Sequence, residues 1–409
     1  MKSRTSSRGL ICNSWVLVFV GSLVVPTGHA KAEGNKLTLS ELRAQRKVMA
    51  QRKRRIIYNN DGDDIGGHGG TTPKGGYIDT PEELLELRTT AILGSQVDTI
   101  FYHSTYGMKL FFEDSAFKTI YEYPDKKGLA SRNCKALIAN YGKDALDVMV
   151  DFGRKNDLEI FYSNRMNDNH DWYFPEILSA IKVKHPEYTI GHAQAERERS
   201  PEETLALMRK GKGPETALNY GLQIIRDLTV DAMREVCRNH DVDGIDLDYF
   251  RFFRVVAPDN PVPQEYVELL NDMMRKMRAM TEEEGLRRGR PILIAARGII
   301  DPDYSLGYGL DVNSWLKEDL IDILMPIHIV GKRGSLKSFI ELAQRYNVQA
   351  YPCLRENWKE SNWPTAREEA MFRFTEGADG ITTFNRFDPT HRLWQELGDP
   401  ETLRNLLEE

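Results

Sequence analysis

Between Arg55 and Asn385 the chain repeats one pattern eight times: a short apolar run that stops at a polar or charged group. The runs are Arg55–Asn60, Asp98–His103, Glu159–Asn164, Gly244–Asp248, Ile292–Arg297, Ile323–Ile329, Gln349–Leu354 and Gly380–Asn385. Each predicts a strand of a parallel sheet covered on both faces. Amphipathic stretches of helical length lie between them, such as TPEELLELRTTAIL, GLQIIRDLTVDAMREVCRNH and EYVELLNDMMRKMRAMTEEEGL. Thr80, Pro81 and Glu83 read as an N-cap, a first-position proline and a first-turn acid. Strand then helix, eight times over, predicts a single α/β (β/α)8 TIM barrel over residues 55–398 rather than an open doubly wound sheet. No G-x-G-x-x-G follows the first strand, so the dinucleotide-binding fold lacks its marker. The long polar segment from Arg165 to Tyr220, rich in His, Tyr and Trp, predicts an insertion after strand 3 that walls the barrel mouth.

The flanks read differently. Lys2, Arg4 and Arg8 precede an apolar run from Trp15 to Val25, and Ala30-Lys31-Ala32 offers a cleavage site. Residues 1–32 therefore predict an export signal, a periplasmic or extracellular destination and no membrane span after cleavage. Residues 33–54 are polar and basic and predict a solvated arm or linker; residues 399–409 predict a C-terminal tail. Loss of the signal removes four basic residues and no acids, taking the formal net charge from -6 to -10. That balance disfavours nucleic acid as the main partner. Cys12 leaves with the signal, and the widely spaced Cys134, Cys237 and Cys353 give neither a disulfide framework nor a metal-binding pair. Buried thiols are expected.

Candidate chemistry follows from the strand ends, because in a barrel these converge on one pocket. In DVDGIDLDYFRFF the alternation of a strand puts Asp246 and Asp248 on one face, a costly arrangement for a core strand unless the acids have a task. The other ends supply Asn60 and Asp61, His103, Asn164 and Arg165, Arg297, His328, Glu356 and Asn385, with Trp172 and Trp358 in the following loops. Many hydrogen-bonding groups beside aromatic platforms suit an oligo- or polysaccharide. Glycosidic cleavage needs two carboxyl groups flanking the bond. Asp248, with Arg251 nearby to hold it ionised, reads as nucleophile or charge stabiliser; Glu356, beside Trp358, reads as general acid; Asp246 orients Asp248 or an arginine. Substrate contacts are expected from Asn60, Asp61, His103, Asn164, Arg165, Trp172, Arg251, Arg297, His328, Trp358 and Asn385. No cofactor or metal is expected: the chain has no H-E-x-x-H, no H-x-H in strand one, no P-loop and no G-x-S-x-G elbow. Two other readings stay open, a non-catalytic carbohydrate-binding barrel and a metal-dependent hydrolase using Asp61, Asp63 and Asp248.

The segment from Leu218 to Phe253, ending in RNHDVDGIDLDYFRFF, resembles the LN…VRDY…VVxxYDVDGIxFDYxRFP stretch of the family 10-like glycosyl hydrolases, bacterial (β/α)8 proteins. DILMPIHIVG and GADGITTFN are similar to that group's sixth-strand and last-strand runs. The resemblance implies a sugar-active barrel with Asp248 in its pocket. More distantly, the same strand is similar to the DGxD strand of chitinase-type and amylase-type barrels. Phe250 stands where the chitinase-type acid would fall, Phe253 replaces the usual proline, and the fifth strand ends in AARG without a glutamate.

Overall fold

The computed structural model describes residues 37–66, 76–103, 115–121, 129–194, 199–211, 215–250, 252–299, 301–327, 335–354 and 363–408. Eight strands are formed: β1 (Ile56–Asn60), β2 (Val97–Tyr102), β3 (Glu159–Arg165), β4 (Gly244–Asp248), β5 (Leu293–Ile299), β6 (Ile323–Pro326), β7 (Gln349–Ala350) and β8 (Ile381–Thr382). They lie in one sheet in the order β7-β6-β5-β4-β3-β2-β1-β8, with every pairing parallel. The two outer strands also meet. Cys353, just past β7, bridges Thr382; Thr382 N donates to Pro352 O at 3.2 Å, and Leu354 N to Thr382 O at 3.0 Å. A curled parallel sheet bonded in this way is consistent with the expected barrel.

A leading helix, α1 (Leu39–Ala50), precedes the sheet. The strands are then followed in turn by α2 (Pro81–Arg88), α3 (Ala145–Asn156), α4 (Gln223–Asn239), α5 (Gln264–Arg288), α6 (Val312–Lys317), α7 (Leu336–Arg345), α8 (Trp363–Thr375) and α9 (Pro400–Glu408). Further helices occupy the connections, among them Leu129–Tyr141 before α3 and several short ones between Asp168 and Gly211. Helix α2 starts as its sequence predicts: Thr80 accepts from Glu83 N, the Glu83 carboxylate accepts from Thr80 N, and Pro81 takes the first turn.

Strand alternation divides the core. Ile100, Tyr102, Ile160, Ile245, Leu247, Ile294 and Leu324 face outward under the helices, whereas Ile57, Phe101, Phe161, Leu293, Ala295, Ile323, Met325 and Tyr351 form a second cluster inside the ring. Gly244 is required there. A Cβ at that position would lie 2.2 Å from the Phe161 ring, which stacks on Phe101 at 4.6 Å.

The basic stretch expected as a solvated arm is otherwise arranged in its described part. Helix α1 buries Leu42, Arg46 and Ala50, and Ala50 belongs to the interior cluster. Arg54, fully buried, makes a bidentate pair with Glu159 at 2.6 and 2.9 Å and donates to the carbonyls of Met49 and Ala50, both at 3.0 Å. One guanidinium thus satisfies the last carbonyls of a helix and neutralises a carboxylate inside the base of the sheet. The C-terminal residues expected as a tail form α9, which buries Leu403. No helix among the described residues is long and apolar enough to cross a membrane.

Breaking a buried pair strands its partner's charge, so Arg54→Met should destabilise the fold by about 3–5 kcal/mol in denaturant titration. The double variant Arg54→Met with Glu159→Leu should recover a large share of that loss. A double variant no better than the single one would refute the role assigned to the pair.

Candidate functional site

The β3–β4–β5 registers set Ser163 beside Asp246 and Arg165 beside Asp248, with Asp248 also beside Arg297. All five are on the inner face. One nitrogen, Arg297 Nη2, lies 2.8 Å from Asp246 Oδ2 and 2.9 Å from Asp248 Oδ2 and donates to Ser163 Oγ at 2.7 Å. Ser163 in turn donates to Asp246 at 2.7 Å, and Phe250 N donates to Asp248 Oδ1 at 2.8 Å. That last bond needs Gly298: it has φ +94°, and a Cβ on it would lie 2.3 Å from Phe250 N. Among the described residues, Asp246 Oδ1 and Arg297 Nε and Nη1 are buried without a hydrogen-bond partner.

Alternate strands of a closed, tilted ring fill alternate interior layers. The observed registers then place Asn59, Ser163, Arg297 and Cys353 in one layer and His103, Asp248, Ile327 and Phe384 in the layer above it. Contacts agree with that assignment. His103 Nδ1 lies 2.7 Å from Ser163 O, which can only accept, so Nδ1 carries the proton. Ile327, Cys353 and Phe384 form one apolar cluster, with Phe250 and Phe253 against it. Among the described residues, the mouth is therefore two-sided, with ionic groups on the β1–β3 flank and an apolar, aromatic wall contributed from β4 and β6–β8.

Arg165 ends β3 and pairs with Asp168 at 2.8 Å. Burial opposes its charge, but Asp168, Asp61 and Asp63 more than compensate and raise its pKa. Burial likewise opposes the Asp168 carboxylate, yet the His170 ring and Arg165 hold it well below the usual range. Asp246 goes the other way. Burial pushes it up to about 7; Arg297 pulls against that and Asp248 adds to it. Burial also drives the Cys353 thiol up to about 12, which makes it an inert filler.

Of the predicted site residues, Asp246, Asp248, Arg297, His103 and Arg165 come together. Asp61 stands near Arg165 but is held by Arg88 at 2.5 Å. Asn60 and Asn164 do not reach the pocket: as alternate residues to Asn59 and Ser163 they face outward. Asn60 bonds Asp64 at 2.7 Å, and Asn164 lies 3.2 Å from Met166 Sδ. Trp172 lies in a short helix beyond Asp168, its ring 5.4 Å from that of Tyr173. Asn385, with φ 54°, follows β8 and is half-buried. Glu356, Arg251, His328 and Trp358 lie outside the described residues. The partner expected for Asp248 from Arg251 is, among the described residues, supplied by Arg297. Ser163, Asn59 and Asp168 were not among the expected site residues; period two counted back from Arg165 would have found Ser163.

Among the described residues, the group of side chains spaced to hold a metal ion is Asp144, Asp147 and His240, and it includes none of Asp61, Asp63 or Asp248. These three serve as caps. Asp144 and Asp147 form the capping box of α3, and His240 Nε2 meets Asp144 at 2.9 Å.

No family model matches the chain, and no curated protein does. Among solved structures, the chain is similar to an alpha-L-fucosidase from Paenibacillus thiaminolyticus at 13% identity and TM-score 0.46, over 87% of this chain and 48% of that one. It is similar to a GH36 alpha-galactosidase from Geobacillus stearothermophilus at 11% identity and TM-score 0.45, over 87% and 42%. A glycoside hydrolase family 18 N-acetylglucosaminidase from Paenibacillus barengoltzii shares 12% identity at TM-score 0.40, over 79% and 97%. The chain thus spans about half the length of the fucosidase, and likenesses this distant carry no argument about chemistry.

A carboxyl whose folded pKa is raised stabilises the fold fully below its unfolded value, here 3.8, and loses that contribution as pH rises through about 7. The melting temperature of the unsubstituted protein, relative to Asp246→Asn, should therefore decline between about pH 4 and pH 8. A difference that stays flat, or grows, would exclude a buried protonated Asp246.

Proposed function

We propose that the chain is an exported (β/α)8 glycoside hydrolase acting on an oligo- or polysaccharide, with Asp248 at the centre of its site. The observation that carries this reading is the inner face of β4 at the mouth. There Asp248 is fixed by Phe250 N–H and Arg297, between an ionic flank and an aromatic wall. A pyranose has the same two sides, a rim of hydroxyls and a face of C–H bonds, so His103 and Arg165 suit the first and Phe250 and Phe384 the second. The likeness to family 10-like glycosyl hydrolases around Asp248 supports it, as does the export signal read in residues 1–32.

Asp248, held by two donors, would act as nucleophile or as the charge that stabilises an oxocarbenium-like transition state. Arg297 acts through it as a positioning residue, and Asp246 with Ser163 fixes Arg297. We assign the proton to the leaving oxygen to Glu356. Ionic loops after β1 and β3 would bind hydroxyls through Asp61, Arg165 and Trp172, with Arg251, His328, Trp358 and Asn385 completing the rim.

One observation favours a second reading, a carbohydrate-binding barrel without turnover: Asp246 and Asp248 are 0% and 1% exposed and share one cation. Two variants separate the readings. Asp248→Asn should lower turnover of a cleaved glycan by about 10³-fold or more while glycan affinity, followed by calorimetry, is kept. Glu356→Gln should lose far less on substrates with an acidic aryl leaving group than on natural glycans, since such groups need no proton. Glycan binding with no hydrolysis by the unsubstituted protein would establish the second reading and remove the first.

A further inference from the structure

We infer that the substrate is a polymer lying across the mouth, with sugars on both sides of Asp248, so that cleavage falls inside the chain. This rests on the glycosidase reading. Strand β4 lies between β3 and β5, and the segments beyond both neighbours carry groups of aromatic side chains. On the β3 side Trp172, Tyr173 and Phe174 follow one another, and Tyr173 and Phe174 are 62% and 49% exposed. Consecutive exposed rings on a soft loop would mean little. This loop is pinned: Lys182 Nζ, almost fully buried, donates to Asp171 at 2.6 Å and to Asp168 O at 3.1 Å, and Thr216 bonds the same Asp171. Asp168 ties that frame to Arg165 at the mouth.

On the other side the Phe253 ring lies 6.4 Å from Tyr304 and 6.3 Å from Tyr308, whose own rings are 5.2 Å apart. Phe253 also packs on the Ile327, Cys353 and Phe384 wall, so this second ledge is continuous with the pocket. Aromatic faces stack on the C–H faces of sugar rings. A monosaccharide or a chain end would use one ledge; occupying both requires a chain that passes over Asp248. Each event breaks one anomeric C–O bond and consumes one water. The hydroxyl goes to the anomeric carbon and the proton to the leaving oxygen, giving two shorter chains rather than a monosaccharide.

The experiment uses the mature chain. Asp248→Asn protein is run by affinity electrophoresis against laminarin, xylan, xyloglucan, galactomannan and dextran, and unsubstituted protein is assayed on the same five by product sizing. Retention by the polymer that is cleaved should fall about fivefold or more when Tyr173→Ala or Tyr304→Ala is added, with melting temperature unchanged. The first products should be long oligosaccharides. Monosaccharide as the first product, or retention unaltered by both substitutions, would overturn the inference and leave the glycosidase reading standing. Failure to cleave any of the five would overturn both together.

Discussion

Two carboxylates on the inner face of one strand impose the constraint from which the rest of the site follows. Neither Asp246 nor Asp248 can shed its charge into solvent, and each would be strongly destabilising if left alone in the interior. The remedy is a cation on the neighbouring strand. Arg297 is set opposite Asp248 by the β4–β5 register, and a single nitrogen serves both acids and Ser163. Sharing one donor fixes the acids relative to each other, which a solvated pair would not achieve. The neighbourhood is small-sided: Ser163 and Ala295 are the register partners of Asp246, and Ser163 bonds both Asp246 and Arg297.

The base of the sheet solves a different problem with the same chemistry. Arg54 and Glu159 are as buried as Asp246, Asp248 and Arg297, but their remaining bonds go to the end of α1, to Arg52 O, to Thr99 and to Gln349 of β7. Every donor of Arg54 is used to close the structure. At the mouth, among the described residues, Arg297 Nε and Nη1 and Asp246 Oδ1 are unsatisfied. So are Arg46 Nε and Arg278 Nε and Nη1 around Asp322 at the base, so spare hydrogen-bonding capacity does not by itself mark the site; two acids sharing one cation on an inner face do.

The strands and their order of appearance were legible because each apolar run ended at a polar residue and each helix kept its period. What the sequence could not settle was facing. In IIYNN every position is apolar or equivocal, so alternation gives no sign of whether Asn59 or Asn60 turns inward; the pairing of Asn59 with interior Phe101 decides it. Nearness in sequence points from Asp248 to Arg251, which lies outside the described residues; among the described residues the partner of Asp248 comes from the next strand, a contact only register reveals. The basic stretch before β1 was misleading for a related reason. Arg46 and Arg54 are charges that composition assigns to solvent, and they are buried because Asp322 and Glu159 wait for them at the base of the sheet.

The raised pKa of Asp246 bears on what kind of ligand the mouth accepts. By formal charge Asp248 and Arg297 cancel, so the state of Asp246 sets the sign of the pocket floor. Protonated, it leaves the floor neutral and offers an O–H donor; ionised, it makes the floor anionic and ties up Arg297 more tightly. On the β1–β3 flank Arg88 pairs with Asp61 and Arg165 with Asp168, and Asp63 is a further acid near Arg165. Among the described residues, the cations of the floor and of this flank are thus matched or outnumbered by acids. That favours a hydroxyl-rich ligand over an anionic one such as a phosphate, whose recognition requires cations left unpaired.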